Sequence, residues 1–227
     1  MATVLHIDSS ARPGRSGTDA HGSHTRRLTA HFIKTWKTLW PDDRVIYRDV
    51  GAEPPKPVSG AWVHAAFTKE NQREPWMHEV LAESNALVDE LLAADVIVAG
   101  VPMYNFGVPA QFKAYIDNIV RVGRTFGFER KGEEVDYWPM VPNAKKLMLL
   151  SSRGDVGYDR DDMLAASNHV EPSVRTPFAY IGITDVWSTA AEYDEYGGVR
   201  LQQSLEAAED AITSKLNALY AESRKAA

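Results

Sequence analysis

Five short runs dominated by apolar side chains recur along the 227-residue chain, at residues 3–8, 44–50, 95–101, 146–152 and 185–190. The first, third and fourth are nearly continuous and end in small or polar residues. Such runs suit parallel strands covered on both faces, whereas strands wetted on one face would alternate. Helical patterns lie between them. Leu28, Phe32, Trp36, Leu39 and Trp40 keep a spacing of three or four and share one stripe. Pro109 can open a helix whose inner face carries Phe112, Tyr115, Ile116, Ile119 and Val120. The last pattern runs through Leu201, Leu205, Ala208, Ile212, Leu216 and Leu219. Strand and helix repeated in turn predict an α/β chain, a parallel sheet with helices on both sides.

Three stretches break that rhythm and read as loops: residues 11–24, rich in Gly, Ser, Arg and His; residues 51–57, with three prolines; and the charged excursion 126–142. Loops of this length in a compact chain are usually functional. No linker with a composition shift and no internal repeat divides the chain, so residues 1–227 are expected to form a single domain.

Composition removes several function classes. Apolar residues make up 44% and charged residues 25%, ordinary globular usage. A net charge of −6 offers no global basic field for nucleic acid. There is no cysteine, so disulfides, thiolate nucleophiles and Cys-ligated metals are excluded. Neither a signal peptide nor a membrane span is legible, and a soluble cytoplasmic protein is the expectation. His21 and His24 lie three apart, but no His-Glu-x-x-His motif occurs, and a metal site is not expected.

In an open α/β sheet, ligands bind beyond the carboxyl ends of the strands. The first run ends in Ser9-Ser10 and leads to Ser23-His24-Thr25 at a helix start. Hydroxyls and free amides there can hold a phosphate, although on this segment alone ordinary N-capping is the plainer reading of Ser23 and Thr25. Ser16 and Thr18 compete for the role, and the later pair is preferred because it abuts the helix. Neither the dinucleotide fingerprint nor the triphosphate P-loop is present. The third run ends in Pro102-Met103-Tyr104-Asn105-Phe106-Gly107-Val108-Pro109, two prolines bracketing a Met, two aromatics and an Asn. Gly107 can take a positive φ. The fourth run ends in Ser151-Ser152-Arg153-Gly154-Asp155, which alone reads as a turn with a surface ion pair.

Met103-Tyr104-Asn105-Phe106 is followed in order by Gln111-Phe112-Lys113 with Tyr115 and Asp117, by Thr125-Phe126, by Ser152-Arg153-Gly154 and by Ile181-Gly182-Ile183-Thr184-Asp185-Val186. This ordered set resembles the flavodoxin-like, FMN-dependent NADH azoreductase and NAD(P)H quinone reductase family. The resemblance implies a flavodoxin-like three-layer fold with a five-stranded parallel sheet in the order 2-1-3-4-5. It also implies a homodimer with one non-covalent FMN per subunit. On that basis Ser10, Ser23, His24 and Thr25 would hold the FMN phosphate. Met103, Tyr104, Asn105 and Phe106 would lie against the isoalloxazine, with Ser152, Arg153, Gly154 and Asp155 at its other edge. Phe128 and Tyr180 would shape the substrate pocket, across the subunit interface. The sequence departs from the family in a longer loop at 11–22, and in Asp155 where a second glycine is usual.

The chemistry so implied is hydride transfer from NADH or NADPH through the flavin N5 to planar acceptors, quinones or azo compounds, with ping-pong kinetics. No side chain is singled out as catalytic acid. A flavodoxin-type electron carrier serving a protein partner is the alternative. A hydrolase built on Ser9 or Ser10 lacks the Gly-x-Ser-x-Gly elbow.

Overall fold

The computed structural model describes residues 1–142, 144–159 and 161–226. In chain order the elements are β1 (Thr3–Asp8), α1 (His24–Leu39), β2 (Arg44–Asp49), α2 (Gly60–Phe67), α3 (Pro75–Ala93), β3 (Val96–Pro102) and α4 (Ala110–Ile119). They continue with β4 (Phe126–Lys131), β5 (Glu134–Pro139), β6 (Lys146–Ser152), α5 (Val170–Ile181), β7 (Asp185–Ala191) and α6 (Gly198–Ala226). Five strands form one parallel sheet in the order β2-β1-β3-β6-β7.

Each central strand serves two cores. Val96, Val98, Met148 and Leu150 face one side, where α1 adds Leu28, Phe32 and Trp36, and α6 adds Leu205, Ala208, Ile212 and Leu216. The intervening Ile97, Ala99, Val101, Leu147 and Leu149 face the other, against α3, α4 and α5 through Leu91, Phe112, Ile119, Val174 and Phe178. The period-two pleat of a strand makes this division, and it is why the runs look uniformly apolar in sequence.

Two expectations need correction. The strand order differs from 2-1-3-4-5 in its numbering, because residues 126–142 are not a plain loop. They contain the antiparallel hairpin β4–β5, paired from Phe126↔Pro139 to Lys131↔Glu134, outside the main sheet. Gly127 has no side chain because Trp138 lies across it: a Cβ there would be 2.3 Å from the indole. The hairpin leaves a tight turn in which Arg121 N donates to Thr125 Oγ1 at 2.8 Å, and that hydroxyl donates to Ile119 O at 2.7 Å. Helices α2, α3 and α5 were also not individually legible.

Helices α1 and α6 are tied by a two-pronged ion pair, Arg27 Nε–Glu209 Oε1 at 2.7 Å and NH2–Oε2 at 2.9 Å. Hydrogen bonding to Arg27 holds the Glu209 carboxyl below its ordinary value, outweighing the opposing effect of burial. A carboxyl lowered by folding stabilises above its unfolded pKa, roughly 4.3, and that stabilisation is lost as pH falls through the folded value. Glu209→Gln is therefore expected to cost up to about 1 kcal/mol near neutrality. Urea melts should show the gap closing once the pH drops well below the carboxylate range. A gap independent of pH would contradict this account.

Candidate functional site

Loops at the carboxyl ends of β1, β3, β6 and β7 enclose a cleft of about 250 Å³. Ser10 and Arg12 line it from the loop after β1, and Ser23 and His24 from the start of α1. Pro102, Met103 and Tyr104 contribute from β3, Ser152, Arg153 and Gly154 from β6, and Asp194 and Glu195 from the loop after β7.

One end of the cleft is a helix N-terminus. Ser23 is the N-cap of α1; its Oγ accepts from Arg26 N at 3.3 Å and lies 3.0 Å from Thr25 Oγ1. The first amides of α1 have no carbonyl four residues back within the helix and face outward. Thr25 is fully buried, so its side chain supports Ser23 and does not line the cleft. The long loop before the helix folds back on its own base: Ser16 N donates to Ser23 O at 3.1 Å and Ser23 N to Gly14 O at 3.2 Å. Ser16 Oγ meets His24 Nδ1 at 2.8 Å, and Thr18 Oγ1 turns to Arg15 O at 3.0 Å. His24 is thus anchored at both ring nitrogens: its Nε2 lies 2.9 Å from Asp194 Oδ1, joining α1 to the β7 loop.

Beyond β3, Met103 N donates to Ser152 O at 2.8 Å, prolonging the sheet into the cleft wall. Tyr104 and Gly107 exchange two backbone hydrogen bonds, 2.9 and 3.1 Å, around a two-residue turn. The positive φ angles fall on Asn105 (47°) and Phe106 (69°), not on Gly107 as the sequence suggested. Asn105 and Phe106 sit at the turn tip outside the cleft lining, and the Phe106 ring is half exposed. A left-handed aromatic residue is uncommon and stores strain. Tyr104 Oη accepts from Ala11 N at 3.2 Å and lies 3.4 Å from Ser10 Oγ, so the β1 and β3 loops share one hydroxyl.

The β6 edge is dominated by carboxylates. Arg153 is 2% exposed and paired with Asp159 at 2.7 Å, Glu171 at 2.8 Å and Glu192 at 3.1 Å. Burial would lower its pKa, but these carboxylates hold it above the ordinary guanidinium value. Its Nε has no partner among the described residues. Glu195 packs against Gly154, where a Cβ would be 2.5 Å from Oε1. Asp155 lies outside the lining and accepts from Val156 N at 2.8 Å and Tyr196 OH at 2.9 Å. Arg12, Asp194 and Glu195 were not singled out from sequence. The two acids follow the fifth strand, an end the same strand-edge rule would have covered.

Phe128 and Tyr180 are not brought to the cleft of their own chain. Phe128 borders a second cavity of about 410 Å³ beside Phe67 and Arg124. An aromatic strip connects them, with ring centroids 6.1 Å apart for Phe67–Phe128, for Phe128–Tyr137 and for Tyr137–Tyr180. Among the described residues, no group of three or more His, Asp or Glu side chains could hold a metal ion, and no helix is long and apolar enough to cross a membrane.

A family model described as Flavodoxin-like fold matches residues 2–216. The chain is 40% identical over 210 residues to the FMN-dependent NADH:quinone oxidoreductase 2 of Idiomarina loihiensis, covering 92% of this chain and 87% of that protein. It is 41% identical over 212 residues to the protein of the same name from Trichormus variabilis, covering 93% and 97%. The crystal structure of an azoreductase from Bacillus anthracis superposes with a TM-score of 0.80 at 22% identity, covering 96% of this chain and 99% of that one, a likeness of fold.

The strained turn gives a direct test. Relief of a left-handed non-glycine residue is worth about 1–2 kcal/mol, against about 0.5–1 kcal/mol for glycine's added freedom. Phe106→Gly should therefore raise the unfolding free energy by about 0.5–1 kcal/mol in chemical denaturation. A marked loss of stability would mean that the ring itself holds the loop.

Proposed function

The chain belongs to the flavodoxin-like fold family, and from that membership we propose that it is an FMN-dependent NAD(P)H oxidoreductase that reduces quinones and azo compounds. The observation that carries the reading is the pairing, in one cleft, of the α1 N-terminus and Ser10, donors suited to an anion, with Pro102, Met103 and Tyr104, which suit a flat ring. The relatives' names supply FMN, NADH and quinone, and give the electron-carrier alternative no support. The whole chain is read as one FMN-binding domain acting in the cytoplasm.

The donor set fits FMN. Ser10 and Ser23 hydroxyls, the first amides of α1 and the half-exposed Arg12 suit a phosphate. Met103 and Tyr104 offer an apolar surface for the flavin ring, with Ser152 and Gly154 along a second edge. Asn105 and Phe106 would reach the ring through the backbone of the turn, and Arg153 through its main chain. Bound FMN supplies hydride acceptance and donation, so the protein needs no nucleophile of its own. The serines agree with this. Ser9 Oγ donates to Gly100 O at 2.7 Å, Ser10 Oγ meets Tyr104 OH and Arg12 N, and among the described residues neither hydroxyl is hydrogen-bonded to a His, Asp or Glu side chain. What remains for the chain is to bind, orient and exclude water. The open side of the cleft serves nicotinamide and acceptor in turn, which gives ping-pong kinetics.

Flavin released by heat is expected to have the mass of FMN, and loaded enzyme should oxidise NADH or NADPH with a quinone or azo dye and no protein acceptor. Recovery of FAD, or turnover that requires a protein acceptor, would overturn the reading.

The finer proposal is a homodimer in which Phe128 and Tyr180 of one subunit cover the cleft of the other. Two features support it. Phe67 and Tyr137 are each 59% exposed on the aromatic strip, more apolar area than water tolerates well. The cleft, at about 250 Å³, is also smaller than the roughly 300–1,000 Å³ of enclosed ligand sites, so one subunit holds part of a flavin nucleotide. Sedimentation equilibrium at micromolar concentration should give twice the chain mass. Phe128→Ala should change the quinone-to-azo ratio of kcat/KM while leaving FMN affinity within about twofold, since the lost contact is to the second ligand. A monomer, or unchanged kinetics with both acceptors, would remove these residues from the pocket.

A further inference from the structure

The anion end of the cleft is an irregular loop, and its shape needs a cause. Behind it lies Arg26, the third residue of α1, 7% exposed and outside the cleft lining. Its Nε donates to Arg12 O at 3.0 Å and its NH2 to Ser10 O at 3.0 Å. Asp49 at the end of β2 accepts two further bonds, 2.6 Å from NH1 and 2.7 Å from NH2, and Tyr47 Oη accepts from NH1 at 3.1 Å. A guanidinium has five N–H donors in a fixed fork, and these five acceptors use all of them. Asp8 stands 3.5 Å away, so two carboxylates more than offset the one cation.

The grip has a consequence on the cleft side. A trans peptide directs its carbonyl and the following N–H to opposite sides. With Ser10 O held backward, Ala11 N–H points forward, where it meets the Tyr104 hydroxyl that lines the cleft. Gly51 closes the rear: a Cβ there would lie 2.1 Å from Ser10 O and 3.0 Å from Arg26 NH2. The carbonyl has no second position to adopt without moving the β2 loop.

We propose that Arg26 is a positioning residue for the anion-binding turn. It touches no ligand; by holding the Ser10 and Arg12 carbonyls it aims the Ser10 hydroxyl, the Tyr104 hydroxyl and the Arg12 side chain at the phosphate. This rests on the FMN reading above. Because the carboxylates neutralise its charge, its effect on the ligand is geometric, and it should act on the phosphate end of the flavin alone.

The test compares FMN with riboflavin, which lacks the phosphate, by fluorescence titration of the full chain stripped of flavin. Wild-type protein should bind FMN at least about tenfold more tightly than riboflavin. Arg26→Lys keeps the charge but loses the fork. It should weaken FMN about tenfold or more while riboflavin stays within about twofold. Asp49→Asn leaves Arg26 in place without its orienting charge and should weaken FMN several-fold in the same selective manner. It decides the matter if melting curves show Arg26→Lys unfolded. A folded variant that keeps wild-type FMN affinity, or loses both flavins equally, overturns the role of Arg26. A wild-type chain that binds the two flavins equally overturns the phosphate reading itself.

Discussion

Strand β3 is buried along its whole length, hydrogen-bonded on both edges to β1 and β6 and covered on both faces by helices. Everything else follows from that constraint. Each aliphatic side chain so buried is worth about 1.5–3 kcal/mol, and a polar one there would need partners that two layers of helices do not offer. Chemistry is therefore displaced to where the ladder ends. The strands are parallel, so all their carboxyl ends emerge on one edge, and four of the five contribute to the cleft. The backbone of Met103 still pairs with Ser152 at that boundary, so the wall of the cleft is continuous with the sheet.

The electrostatics of the cleft are less obvious than its position. The chain carries a net −6, and Asp194, Glu195 and the three carboxylates around Arg153 crowd the same edge. Arg153 stands at the cleft edge, yet its charge is spent on those carboxylates. Arg26 is likewise spent on Asp8 and Asp49. In the proposed reading, anion binding then falls to neutral donors, amides and hydroxyls at the start of α1, beside the half-exposed Arg12, whose guanidinium lies 3.6 Å from Asp194. Oriented dipoles tolerate an acidic surround better than a lone lysine would, since a carboxylate cannot pair with and neutralise them.

The core was legible because its signal is local. Residues 3–8 and 146–152 read as the strands later found, and 44–50 extends one residue past β2, since each is a short apolar run. Helices α1, α4 and α6 showed through their spacing. Helix α5 keeps the spacing Val170, Val174, Phe178 and Ile181, but Pro177 inside it, with no N–H to donate, argues against a helix in sequence. The β5 strand is exposed at every residue, so no burial marks it in sequence. Within the cleft, Ser10, Ser23, Met103, Tyr104 and Gly154 stand together as the strand-end rule anticipates. Arg26 was invisible for a different reason. It stands next to Arg27 in a polar stretch, and nothing local tells the buried guanidinium from the one on the surface. The difference lies in Asp49, twenty-three positions away.

The elements hidden from sequence are the ones that build the aromatic strip. Phe67 ends α2, Phe128 and Tyr137 face each other across the hairpin, and Tyr180 is near the end of α5. None of the four belongs to the two sheet-flanking cores, so neither core is packed by them. The hairpin is nonetheless held in one orientation, by Thr125 at its base and by Trp138 laid over Gly127. Exposed rings on a fixed scaffold need a partner to shield them from water, and a shallow cleft with an apolar wall needs a cover. In the proposed dimer each deficiency answers the other: the surface that the core does not require becomes the second wall that the cleft lacks.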